Sequence, residues 1–371
     1  MDPWRRTFSR RRLLQATAGL SGAVALGGVG AVSRVLAQSP AAGPTGTFNW
    51  LTWGDHFYQE QLDEIGSTAG IFTSPELFSD NVEAWTKVSE GAQIDMVSGD
   101  ALWVPKYYED GLIEAWDINE LEVSKNLFPI AREFEIWTTP EGYLGFPFGW
   151  SPIAIYYDPV KVTGSPDSWE VLLDPNYAGR VVVEDQPVEV TAYMAKLAGA
   201  VDPYNMTEEE LATVKGLLEQ LKPNILRFAP QATDTFAALA SGEAWIGTGN
   251  LGTDLRVKEL GGPDLVVLSP KEGTVGWMDA EMIVKGGANT QLVKPFLELA
   301  EQPQYIAENF HRNPRPLFNE GAYKLLVNNG EQEIADRYLF NKPETVLEMT
   351  LKGPGTTATG TPAIWVEVFG A

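Results

Sequence analysis

Gly179-Arg180-Val181-Val182-Val183 is a glycine followed by a β-branched run, and it reads as a strand covered on both faces. Downstream, Thr207 stands as N-cap with Glu210 three residues on, a capping box that opens an amphipathic helix over 208–221. The same strand-and-helix order recurs on either side. Residues 47–51 and 94–97 read as strands, with a helix over 82–90 before the second. Residues 145–148 lead into a strand at 153–157. A helix at 233–241 precedes strands at 244–247, 265–268 and 281–284. This alternation predicts an α/β class with largely parallel sheets. The chain contains no short repeat, heptad run or low-complexity tract.

Outward from this core, the N-terminus has a different character. Ser9-Arg10-Arg11-Arg12-Leu13-Leu14-Gln15 fits a twin-arginine export pattern. A glycine-diluted apolar stretch at 16–32 follows, and Val35-Leu36-Ala37 forms a plausible cleavage site before Gln38. A membrane anchor is the alternative, but the apolar run is shorter than the ~20 residues that span a bilayer. Residues 1–37 are therefore expected to be a signal peptide, with a flexible lead-in at 38–46. The expected destination is the periplasm. No cysteine is present, which excludes disulfides, iron–sulfur clusters and thiolate metal sites. The two histidines, His56 and His311, are too few for a histidine-rich metal centre, and no cofactor is expected.

The formal charge is −23. Residues 1–37 hold six arginines against Asp2, so the remainder of the chain carries −28. That acidity excludes a general nucleic-acid binder and suits a cationic partner, although a solvated acidic surface would give the same total.

Four segments in colinear order carry a family resemblance. They are Phe48-Asn49-Trp50-Leu51-Thr52-Trp53, Asp95-Met96-Val97 with Tyr108-Glu109-Asp110-Gly111-Leu112-Ile113, the run from Ser168-Trp169-Glu170 to Tyr177-Ala178-Gly179, and Gly273-Thr274-Val275-Gly276-Trp277-Met278-Asp279. Together they resemble the spermidine/putrescine-binding proteins of ABC transporters. The resemblance implies a two-lobed periplasmic-binding-protein fold (type II) with a ligand cleft between lobes. One lobe is expected to hold 47–147 plus 276–316, the other 148–275 plus 317–371. It also implies a small-molecule solute, membrane permease subunits as partners, a monomer, and no enzymatic activity.

The resemblance points to nine ligand-binding candidates. Trp50 and Trp53 fall on the aromatic positions of the opening motif, where core packing is the alternative. Trp277 and Asp279 match an aromatic-plus-carboxylate pair, and their spacing of two puts both on one face of a strand. Gln186 and Glu189 fall where the family has its two ligand carboxylates, so one acid has become an amide. Glu184 and Asp185 stand close enough to replace it, or form a solvated turn. Asp100 occupies a small-hydroxyl position and either restores that charge or caps a helix. Asn250 and Asn313 fall where the family has aromatics. Arg312 and Arg315 flank Asn313; an inward arginine would repel a polyamine and favour a carboxylate or phosphate.

A diammonium ligand needs acids at its ends and aromatic faces between them, each ammonium–aromatic contact contributing ~0.5–2 kcal/mol. The expected ligand is accordingly a polyamine or related organic cation. A zwitterion, organic anion or metal complex remains the alternative within the same class. A carboxylate-based hydrolase is the alternative outside it, although the chain has no nucleophile elbow or histidine-based triad.

Overall fold

The computed structural model describes residues 43–353 and 360–370. The expected signal peptide at 1–37 lies outside the described residues, as does the lead-in up to residue 42.

The described chain opens with β1 (Gly46–Thr52), α1 (Gln59–Ala69), β2 (Ile71–Leu77), α2 (Asn81–Ser89), β3 (Met96–Asp100) and α3 (Val104–Glu109). A run of 3-10 turns and a hairpin of β4 (Thr138–Thr139) and β5 (Gly142–Tyr143) lead to β6 (Phe146–Pro152) and β7 (Ala154–Tyr157). Next come β8 (Val181–Glu184), α4 (Pro187–Leu197), α5 (Glu208–Leu221), β9 (Ile225–Ala229), α6 (Ala232–Ala240), β10 (Ile246–Gly249), α7 (Thr253–Glu259) and β11 (Val266–Leu268). After β12 (Val275–Ile283), the helices α8 (Val293–Ala300), α9 (Pro303–Arg312), α10 (Glu320–Asn328) and α11 (Gln332–Arg337) precede β13 (Thr350–Leu351) and α12 (Gly360–Phe369).

Two sheets organise these elements. The first runs β13-β12-β3-β1-β2, with β6 on the far edge of β12, and the second runs β11-β7-β10-β8-β9. Val181, Val182 and Val183 are fully buried, because β8 lies between β10 and β9 with both faces covered. Each such valine contributes roughly 1.5–3 kcal/mol of burial. The capping box forms as expected: Glu210 N–H donates to Thr207 Oγ1 at 3.3 Å, and Thr207 N–H donates to Glu210 Oε2 at 2.8 Å.

The sheets are mixed, not largely parallel. The pairs β1–β2, β1–β3, β8–β9, β8–β10 and β12–β13 are parallel. The pairs made by β7, and those of β12 with β3 and β6, are antiparallel. The reason lies in how the chain changes sheet. It runs straight from β6 into β7, and from β11 through a short loop into β12, without the helical crossover that a parallel neighbour requires. A third passage follows β13: α12 packs Trp365 and Val368 into the core beneath the second sheet, and Lys222 Nζ donates to Val368 O at 2.6 Å.

These passages cut across the division expected from sequence. β6 straddles 147/148 but pairs in the first sheet, and β13 pairs there too although it follows residue 317. Helices α9 to α11 close over a separate apolar cluster of Phe148, Phe310, Leu317, Tyr338 and Phe340.

Candidate ligand-binding site

The site is built where the chain changes sheet. Along β12, Asp279 stands directly opposite Asp100 of β3, and both are buried. Asn81 Nδ2 donates to Asp100 Oδ2 at 2.8 Å. Burial, the Asp279 charge and a hydrogen bond shared with Asp279 hold the Asp100 carboxyl well above the usual carboxylate range. Two acids in contact cannot both ionise in a dry setting, so this pair keeps a proton. Asp279 Oδ1 is buried and has no donor within the described residues other than the proton that Asp279 shares with Asp100.

Behind Asp279 lies a histidine that composition alone did not assign to the site. His56 is buried, with Nε2 3.1 Å from Asp279 Oδ2 and Nδ1 2.7 Å from Glu281 Oε1. Burial alone would lower its pKa, but hydrogen bonds to Asp279 and Glu281 raise it to about 9. The ring is therefore cationic at neutral pH and donates from both nitrogens. Glu281 Oε2 also accepts from Ser98 Oγ at 2.7 Å and Trp50 Nε1 at 3.1 Å. Glu281 was legible in principle, because two residues beyond Asp279 on a strand is the same face.

The second sheet contributes from the start of α4. Glu184 ends β8, Gln186 is the N-cap of α4 without a side-chain capping bond, and Glu189 lies buried in the first turn. The helix N-terminus favours negative charge there. Burial first, then the Glu189 charge, push the Glu184 carboxyl up to about 8. Asp185, the other replacement considered, is exposed. Trp277 Nε1 donates to Asn250 Oδ1 at 2.7 Å, tying β12 to the residue after β10.

The candidates thus separate into two groups. Asp100, Asp279, Glu184 and Glu189 converge electrostatically on one cation, Lys352, whose Nζ is 3.5 Å from Glu189 Oε2. Trp277 and Asn250 flank this group as a bonded pair. Trp50 belongs instead to the first core, with its ring against Phe57 and Phe296 and its N–H bound to Ser98 and Glu281. Trp53 packs at 4.1 Å on Phe78. Asn313 ends α9 and offers its carbonyl to Arg315 at 3.5 Å.

Of the two flanking arginines, Arg312 pairs with Glu60 and Glu308 at the surface, whereas Arg315 is 2 % exposed. Its guanidinium lies 5.5 Å from the Phe148 ring and 5.9 Å from the Trp277 ring. It donates to Asp55 O at 2.9 Å and pairs with Asp55 Oδ2 at 3.3 Å. Lys352 carried no sequence signal, since its position depends on a two-residue strand.

Among the described residues, no helix is long and apolar enough to cross a membrane. The spermidine/putrescine-binding periplasmic protein of Escherichia coli is 24% identical over 315 residues, covering 81% of this chain and 84% of that protein. The TpPotD lipoprotein of Treponema pallidum superposes with a TM-score of 0.74 at 18% identity, over 87% of this chain and 99% of that one. The binding protein MotA from A. tumefaciens B6, solved with glucopine, gives 0.67 at 17% identity, again over 87% and 99%. These structures share the two-lobed α/β fold. The family model described as bacterial extracellular solute-binding protein matches residues 92–331, more than half of the chain, and the chain belongs to that family.

Proposed function

We propose that the chain is the solute-binding component of an ABC importer and that its cleft captures a small solute bearing ammonium groups, polyamine-like or a related organic cation. The single observation that carries this reading is the buried Asp100–Asp279 pair, two facing acids whose only mutual relief within the described residues is a shared proton. Like charges so close are costly, and an ammonium entering the cleft would displace that proton and leave both carboxylates facing a positive charge. Glu189 adds negative potential from the other lobe, and Glu184 adds more once it releases its proton. The relative from Escherichia coli, named for spermidine and putrescine, supports the same solute class. The leader at 1–37 supports delivery to the periplasm by the twin-arginine route, and the solute would pass from there to the permease subunits.

Arg315 favours a second reading. A buried guanidinium between Phe148 and Trp277 can meet a carboxylate, so a solute with an ammonium at one end and an acid at the other also fits.

Melting temperatures against putrescine, spermidine, 4-aminobutyrate and their uncharged analogues test both readings. A ligand at 100 times its Kd stabilises the folded state by about 2.7 kcal/mol. Amines should raise the melting temperature, and Asp279→Asn should remove most of that rise. Absence of any rise with every amine would sink the cation reading.

A further inference from the structure

Lys352 sits at a joint. β13 pairs with β12 at Val275 and Gly276, and Lys352 N–H donates to Gly276 O at 2.7 Å. β3 pairs with β12 from Asp279 onward, and Ala101 N–H donates to Met278 O at 2.7 Å. β6 takes the opposite edge of β12 at both Gly276 and Asp279. β13 and β3 therefore share one edge and meet there end to end, which brings Lys352 to Asp100. The joint is tight: a Cβ on Gly353 would collide with the side chain of Leu102.

The lysine side chain is four-fifths buried, and it reaches into the acid group. Groups facing it from the first sheet are Asp100 and Asp279, and from the second lobe Glu184 and Glu189. His56, bonded to Asp279, is a second cation beside the first-sheet acids. Among the described residues the only ion pair of Lys352 is with Glu189, at 3.5 Å, longer than the 2.7–3.2 Å of a formed hydrogen bond. One ammonium thus lies among four carboxyl groups without being locked to any of them. Burial opposes its charge, but the four acids prevail and keep it protonated.

We propose that Lys352 is a specificity-determining residue: its ammonium holds one cation position between the lobes, so the cleft selects solutes with a single ammonium over diamines. The remaining position is at the Asp100–Asp279 pair, and the far end of the solute, facing Arg315, is neutral or anionic. This rests on reading the acid group as the cation site.

The experiment titrates the mature chain and its Lys352→Gln and Lys352→Arg variants calorimetrically with putrescine and with 4-aminobutyrate. Removing one like charge at contact distance should tighten putrescine binding by roughly tenfold or more in Lys352→Gln. Lys352→Arg, which keeps the charge, should retain the preference of the unaltered protein for the mono-ammonium probe. Unchanged or weaker putrescine binding in Lys352→Gln, with amine binding otherwise intact, overturns the role of Lys352 and leaves the cation site standing. No amine binding by any of the proteins overturns the cation site and the role of Lys352 with it. If Lys352→Gln melts too low to titrate, Lys352→Ala with added ethylammonium gives the second readout. The melting temperature of Lys352→Ala should rise while that of the unaltered protein does not; an equal response in both overturns the proposal.

Discussion

Glu184 shows how one carboxyl can make solute capture depend on pH. Its pKa of about 8 in the folded chain, against 4.5 unperturbed, means the fold binds a proton that the unfolded chain releases. Stability from this group is therefore complete below about pH 4.5 and is lost as pH rises through 8. A cation arriving nearby favours the ionised form, so binding expels the proton and affinity rises with pH, by at most roughly tenfold per unit below 8. Calorimetry in buffers of different ionisation heat should detect the released proton, and Glu184→Gln should abolish it. The histidines follow the sign rule for raised bases. His56 and His311, both near 9, stabilise the fold below about pH 6.5 and lose that contribution as pH climbs through 9. Proton resonance titrations should find both midpoints well above 6.5; a midpoint for His56 at or below 6.5 would break the His56–Asp279–Glu281 chain of hydrogen bonds as drawn.

At the level of elements, legibility followed how local each signal was. The Val181–Val183 run and the Thr207–Glu210 box declare themselves within a few residues, and both elements are where the sequence put them. β2 went unread because Pro75 interrupts its pattern, which the fold tolerates by placing β2 at the sheet edge. β13 is two residues long and exists only because β12 offers it a free edge. That is why Glu189, Asp279 and Asp100 could be nominated from local spacing and resemblance, while Lys352 could not. Trp50 marks the opposite limit, since an aromatic at the right place in a motif does not reveal that its indole points into the core. Two substitutions separate these layers. Thr207→Ala should cost about 1 kcal/mol in urea denaturation and leave solute affinity intact. Gly276→Ala would drive a Cβ into Met349 Sδ and to 2.6 Å from Ser151 O, so it should cost about 1–3 kcal/mol and weaken solute binding by displacing β13.

Across the whole molecule, the described chain passes between the sheets near residues 152–153 and 269–274, where the lobes are expected to bend against each other. A bonded pair, Trp277 and Asn250, spans that boundary, and the acids of both lobes approach the same lysine. Solute should therefore favour the closed arrangement by the difference in its affinity for the two states. Small-angle scattering should show a smaller radius of gyration with a bound amine than without; identical profiles with and without a proven ligand would count against hinge closure. The threading also bears on synthesis. Domains ordinarily complete themselves in the order in which they leave the ribosome. Here β12, the strand that joins β3 to β6, is not translated until residue 283, and β13 not until residue 351. The first lobe begins at residue 46 yet cannot close its sheet until nearly the whole polypeptide has emerged, so its nascent strands must wait, unpaired on one edge, through the making of the other lobe.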